Sequence, residues 1–174
     1  MRQLETVARK SLFFVVVAGI VGLTASVAMA HCEIPCGIYG DQMRVKMLRE
    51  HFKTVEKSMR QIQALQHEDD INYNQLVRWV NNKEKHANKI QEIVYQYFMN
   101  QRVKPVEKGA EGHDGYVLQI ELLHKMLVQA MKSKQTTTVK HVENLRNLLT
   151  EFETMYFEGH EKAVESGHHG KHDH

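Results

Sequence analysis

A chain of 174 residues with 42% hydrophobic and 25% charged residues is long enough for one domain with a real core and short for two. Its formal charge is only +2, and it lacks the clustered basic face that nucleic-acid binding requires. Pro35 and Pro105 are its two prolines, so most of the chain is free of helix breakers, and its Leu, Met, Lys, Gln and Glu content favours helices over strands.

Residues 1–30 read as a targeting segment. Arg2, Arg9 and Lys10 form a basic start, Ser11 to Val27 is an apolar stretch, and Ala28-Met29-Ala30 is an A-x-A cleavage site. The alternative is an uncleaved membrane anchor, for which the apolar run is near the lower limit. Arg9-Lys10-Ser11-Leu12-Phe13 resembles a twin-arginine signal with one arginine replaced by lysine. With Glu5 set against its three basic residues, the segment carries the chain's whole +2, so the mature chain is close to neutral. The expected product is exported, periplasmic or extracellular, and free of the membrane once processed.

Residues 31–39 follow as a short hook, and the pattern then turns helical. Leu48 (or Met47), Phe52, Val55, Met59, Ile62 and Leu65 recur at spacings of three and four, predicting a helix from about Asp41 to Leu65. Gln66 to Asp70 is a polar connector, and Asp70 or Asn72 is the candidate cap of the next helix. That helix places Leu76, Val80, Ala87, Ile90, Val94 and Tyr97 along one side and runs to about Arg102. Pro105, Gly109, Gly112 and Gly115 mark a loop. A third helix is expected from about Tyr116 to Lys134, with Leu118, Leu122, Met126 and Met131 apolar, and Thr136 to Thr138 form a cap cluster before the fourth. The fourth shows Val142, Leu145, Leu149, Phe152 and Tyr156 and ends near Gly159. Four such helices with short loops and no strand-type alternation predict an all-α fold, an antiparallel up-down four-helix bundle over residues 40–165. The His-rich tail, residues 166–174, has no apolar residue to bury and is expected to be disordered. It reads either as a metal-capturing tract or, on composition alone, as a solvated tail.

The sequence's two cysteines, Cys32 and Cys36, both fall within the first six residues that cleavage after Ala30 would leave. In an oxidising compartment a small C-x-x-x-C disulfide is one reading. The other is a metal site, because the same cleavage gives His31 a free α-amine beside its imidazole and the Cys32 thiol. Pro35 and Gly37 favour a turn that brings the two sulfurs to one centre. Amine, Cys32 amidate and two thiolates make a square-planar N2S2 set suited to Ni(II) or Cu(II), with the His31 imidazole as an axial fifth donor. Zinc prefers a tetrahedral set. Anionic amidate and thiolate donors favour the higher oxidation state and so bring a Ni(III)/Ni(II) couple within reach of superoxide.

The segment His31-Cys32-Glu33-Ile34-Pro35-Cys36-Gly37-Ile38-Tyr39 is similar to the hook motif of nickel-containing superoxide dismutases, H-C-x-x-P-C-G-x-Y, at every defined position. The resemblance implies a four-helix bundle that assembles as a homohexamer, one nickel ion per subunit and superoxide as substrate. It implies that His31, Cys32 and Cys36 hold the nickel, that Pro35 shapes the loop, and that His31 and Tyr39 act in catalysis, Tyr39 beside the open axial face. In that family a carboxylate on the first helix and an arginine on the second hold the axial imidazole. Glu50 is the candidate carboxylate here, His86 stands where the arginine is usual, and Tyr97 is the candidate second tyrosine of the pocket. Two positions depart from the family pattern: Glu33 stands where aspartate is common, and Gly40-Asp41 follows the hook tyrosine in place of Asp-Pro. An exported nickel or copper carrier using the hook and the tail is the alternative function, and a structural bundle with a disulfide is a third reading.

Overall fold

The computed structural model describes residues 40–167, with side chains to residue 158. The leader, the hook with His31, Cys32, Cys36 and Tyr39, and the tail from residue 168 lie outside the described residues. Among the described residues there are four helices and no strand: α1 Asp41–Leu65, α2 Tyr73–Glu92, α3 His113–Gln135 and α4 Lys140–Gly167. α2 continues without a break as a π-helical segment, Ile93–Arg102.

α1 begins and ends where the periodicity places it. Its buried Val45, Leu48, Phe52, Val55, Met59 and Ile62 form the three-four stripe, and burying each such side chain stabilises by about 1.5–3 kcal/mol. Asn72 caps α2, its Oδ1 accepting the Gln75 amide at 3.1 Å and satisfying one orphan donor of the first turn. Gly112 adopts φ 85°, a left-handed conformation that costs glycine nothing. That turn lets α3 start at His113, so Gly115, expected in the loop, lies inside the helix. On α4, Val142, Leu145, Leu149, Phe152 and Tyr156 are all buried, as their spacing predicts.

Cross-links between helix ends fix the topology. The start of α1 meets the end of the π segment through Asp41 and Arg102, and the late part of α4 through Tyr156. The end of α1 meets the start of α4 through Gln63 and the Thr137 carbonyl. Lys83, midway along α2, meets the Lys134 carbonyl at the end of α3. Neighbours therefore run antiparallel, and α1–α2, α3–α4, α2–α3 and α1–α4 pack in a ring around one core, the up-down bundle that short loops favour.

Three apolar positions expected on inner faces are exposed: Val80, Leu118 and Met131. For Val80 the reason is overhang. α3 ends level with Lys83, so α2 residues before it extend past that partner, leaving Tyr73 69% and Val77 56% exposed. The inner stripe of α3 is instead Leu122, Leu123, Met126, Ala130 and Ser133. α4 runs past Gly159 to Gly167, taking the first two residues of the expected tail into the helix backbone. No helix of the described residues is long and apolar enough to cross a membrane.

Candidate functional site

Asp41 is the first residue of α1 and follows Tyr39 by two positions. Around its carboxylate the bundle gathers three donors. Oδ1 accepts the Tyr97 hydroxyl at 2.5 Å and Arg102 Nε at 2.9 Å. Oδ2 accepts Arg102 Nη2 at 2.7 Å and the Tyr156 hydroxyl at 2.8 Å. The guanidinium thus grips the carboxylate with both prongs, the strong planar form of the ion pair. The side chains of Arg102 and Asp41 are 19% and 15% exposed, shielded enough that the pair is not a surface contact of negligible worth.

The local conformation of the second helix makes this cluster. Tyr97 and Arg102 are five residues apart. In an α-helix of 3.6 residues per turn they would point about 140° apart. The i→i+5 bonding of the π-helix brings such residues back to one face, and π segments recur at functional sites. Around them the packing is aromatic. Phe98 meets Tyr97 and Phe152 edge-on, each with ring centroids 5.1 Å apart, and Phe152 stacks on Tyr156 at 5.2 Å. Arg44 Cζ lies 5.0 Å from the Tyr97 ring centre, a cation–π contact from α1.

The protonation states follow from this arrangement. Burial pushes the Asp41 carboxyl up, but the hydrogen bonds from Arg102, Tyr97 and Tyr156 and the guanidinium charge outweigh it and hold the group below its usual 3.8. Burial, then the Asp41 charge, pushes the Tyr97 phenol up to about 12 and raises that of Tyr156 as well. Both tyrosines are therefore protonated donors at neutral pH, and Asp41 is an ionised acceptor. Gln101, beside Arg102, carries a buried amide nitrogen without a hydrogen-bond partner among the described residues. An orphan donor of this kind calls for an explanation.

A second polar pair spans α1 and α2 further along the bundle. His51 Nδ1 and His86 Nδ1 are 3.1 Å apart, one ring donating and the other accepting, with the rings edge-to-face at 5.0 Å. Burial, then His86 and Lys89, lowers His51 to about 4. Burial, then Lys89 and Lys85, lowers His86. Glu50, the sequence candidate for a carboxylate beside the metal imidazole, is on the exposed side of α1. The carboxylate of α1 that does meet an arginine of the second helical segment is Asp41, with Arg102. Tyr97 is buried in the cluster as the sequence reading allowed, whereas Arg102 and Tyr156 carried no signal beyond a helix end and an apolar stripe.

Among the described residues no group of three or more His, Cys, Asp or Glu side chains is placed to hold a metal ion. Two thiols and an imidazole, from Cys32, Cys36 and His31 of the hook, are side chains whose donors fit nickel. Soft sulfur with nitrogen donors suits a metal with square-planar preference. No curated protein and no solved structure matches the chain. The family model for nickel-containing superoxide dismutase matches residues 26–160, a stretch that takes in His31 to Tyr39, all of α1 to α3 and most of α4. An all-α bundle, a nickel-compatible donor set and a family match over most of the chain agree, and the chain belongs to the nickel-containing superoxide dismutases, oxidoreductases that use nickel to consume superoxide.

Proposed function

We propose that the nickel is held at a mature N-terminus made by cleavage after Ala30, with His31, Cys32 and Cys36 as its ligands. The observation that carries this reading is the position of the sequence's thiols. Both lie within six residues of the A-x-A site, in a chain of a nickel-dependent family and in the order H-C-x-x-P-C-G-x-Y. Cleavage is then part of building the site, because it creates the α-amine of His31. It also implies export, to the periplasm or outside the cell, and a processed protein without a membrane anchor. By family likeness the subunits assemble as a homohexamer.

The reaction takes two superoxide anions and two protons to dioxygen and hydrogen peroxide. When bound, nickel supplies a one-electron couple that superoxide can both reduce and oxidise. The chain's own residues do the rest. Cys32 and Cys36 supply anionic sulfur that favours the oxidised state. His31 supplies the amine and the imidazole. Pro35 and Gly37 hold the turn that brings the sulfurs together. By family likeness Tyr39 would act beside the nickel, its hydroxyl orienting the incoming anion, and the proton would come through Tyr39 or through ordered water.

Cys32→Ser and Cys36→Ser are the test, read by elemental analysis, superoxide consumption and circular dichroism on the mature protein. The expected result is loss of nickel and turnover with helix content kept, since the described residues of the four helices form a core by themselves. Full nickel in both variants overturns the ligand assignment. Mass analysis of the exported protein checks the cleavage, and an N-terminus other than His31 removes the amine from the site.

A further inference from the structure

We infer that the outer face of α3 is a two-fold contact between copies of this chain, with α3 of one subunit lying antiparallel on α3 of the next. The proposed homohexamer states a number of subunits and no surface. This inference supplies a surface, and it depends neither on that number nor on the nickel ligands.

α3 is apolar on two sides. Leu122, Leu123, Met126 and Ala130 face the core of the bundle, yet on the other side Val117, Leu118 and Met131 are 46%, 36% and 41% exposed. A surface helix carries one apolar stripe and turns a polar face to solvent, whereas a helix that is apolar all round is covered all round. α1 keeps to that rule: between Val45 and Ile62 its exposed residues are Lys46, Arg49, Glu50, Lys53, Lys57 and Arg60, all charged. The outer side of α3 is therefore a face that a partner covers.

The order of the charges says which partner. Asp114, Leu118, Glu121, Lys125, Val128 and Lys132 recur at spacings of four and three, which sets them along one seam of the helix. Val128 is half-buried and the other five are exposed. The seam is acidic in its first half, basic in its second, and symmetric about Leu123. Glu121 and Lys125 stand two residues either side of it, Leu118 and Val128 five, and Asp114 and Lys132 nine. When the seam is laid antiparallel on a second copy of itself, residues equally far from the centre meet. Asp114 then faces Lys132 of the second copy, Glu121 faces Lys125, and Leu118 packs on Val128. Parallel pairing would set every charge against its like. A contact between identical surfaces requires this self-complementarity, and a foreign partner does not. The helix dipole accounts for an acid in the first turn and a base in the last. It does not account for Glu121 and Lys125 in mid-helix, or for the exposed apolar residues beside them.

Within one chain Glu121 and Lys125 already pair at 2.6 Å, each side chain 52% exposed. In the contact two such pairs lie side by side and form a network of four charges, which contributes more than an isolated exposed pair. The 23 residues of α3 make a rod about 35 Å long, and a strip about 10 Å wide along it covers about 350 Å². That is under half of the roughly 800 Å² that each partner gives to a standard interface. The contact is therefore weak by itself and depends on concentration, and other contacts add to it in a larger closed assembly.

The experiment begins with the unaltered, nickel-loaded protein. Asp114 and Lys132 are 18 residues apart on one helix, about 27 Å, so a zero-length carbodiimide link between them can join only two chains. Peptide mass spectrometry after cross-linking should find that link. Sedimentation then compares the parent with Leu118→Glu, Glu121→Lys, Lys125→Glu, the double variant carrying both reversals, and Lys53→Glu on α1 as a control, with helix content measured on each. We expect Leu118→Glu and each single reversal to weaken association by at least about tenfold, the double reversal to restore it, and the control to match the parent, all with parental helix content. The double reversal places Lys before Glu along the helix, the poorer order for helix stability, so recovered association reports the contact and not the helix. A protein that stays monomeric up to about 1 mM, single reversals that associate as the parent does, or cross-links that join only other faces overturn the inference. If Leu118→Glu fails to fold, the reversals and the cross-link decide.

Discussion

Tyr97 and Arg102 donate to the same oxygen of Asp41, at 2.5 Å and 2.9 Å, although they are five residues apart on one helical segment. Only a π register puts residues at that spacing on one face, so the local backbone and the cluster explain each other.

The first prediction follows from counting residues per turn. A π segment equals an α-helix carrying one extra residue. Deleting the exposed Asn100 leaves Tyr97 and the arginine four apart, and in an α-helix residues four apart also share a face. We expect that deletion to change stability by less than about 1 kcal/mol and to preserve nickel binding. Deleting the exposed Lys85 in α2 instead rotates the apolar stripe by about 100° relative to the π segment and should unfold the bundle. Chemical denaturation of both variants checks this. Equal damage from the two deletions would mean that the extra residue has a purpose beyond facing Arg102 toward Asp41.

The histidine pair predicts a pH dependence. His51 ionises near 6.5 when unfolded and is lowered to about 4 in the bundle, where burial, His86 and Lys89 oppose its charge and Glu50 only partly compensates. The unfolded state therefore binds the proton first as pH falls. Stability is complete above pH 6.5 and is lost between 6.5 and about 4, by at most about 3 kcal/mol. His51→Leu should flatten that stretch of the stability–pH curve. An unchanged slope would assign the acid sensitivity to other groups.

The stripes of α1 and α4 were legible because each helix buries one face against two neighbours, and period alone reports that. α3 was read less well. Leu118 and Met131 are apolar but exposed, and the buried Leu123, Ala130 and Ser133 are set by which face meets α4, which the sequence of α3 does not encode by itself. The start of α1 at Asp41 was visible, but the role of its carboxylate was not. Its partners come 61 and 115 residues later, and the register that aligns Tyr97 with Arg102 has no sequence signature. The hook was read from the order of adjacent residues alone, and it lies outside the described residues.

Lys83 gives a stability prediction apart from the site. It is buried, with Nζ 2.5 Å from the Lys134 carbonyl and 3.2 Å from that of Thr136, so it caps the end of α3 with a cation where the dipole favours one. Burial lowers its pKa, and Glu84 at 3.6 Å works against that. Lys83→Leu strands two carbonyls and should cost about 1–3 kcal/mol. Turnover per bound nickel should stay parental, because the residue meets none of the groups around Asp41. Thermal melts beside activity on the same preparation test both halves, and a fall in turnover per nickel would tie this end of the bundle to the reaction.

The last prediction separates the two ends of His31. His31→Ala removes the imidazole and keeps the α-amine, the Cys32 backbone nitrogen and both thiolates. Enough donors survive for the metal to stay, so nickel content should be near parental. Turnover is a different matter, since an extra nitrogen donor favours the oxidised state and the reaction needs both states to be reachable. We expect turnover per bound nickel to fall by at least about tenfold. Adding one residue before His31 makes the opposite cut: the imidazole is kept and the terminal amine becomes an amide nitrogen, a poorer donor until it loses its proton. That variant should lose nickel itself. Nickel analysis and pulse-radiolysis rates on the two proteins, side by side, decide which end does what. If His31→Ala turns over at the parental rate, the imidazole has no part in the cycle, and His31 serves through its amine alone.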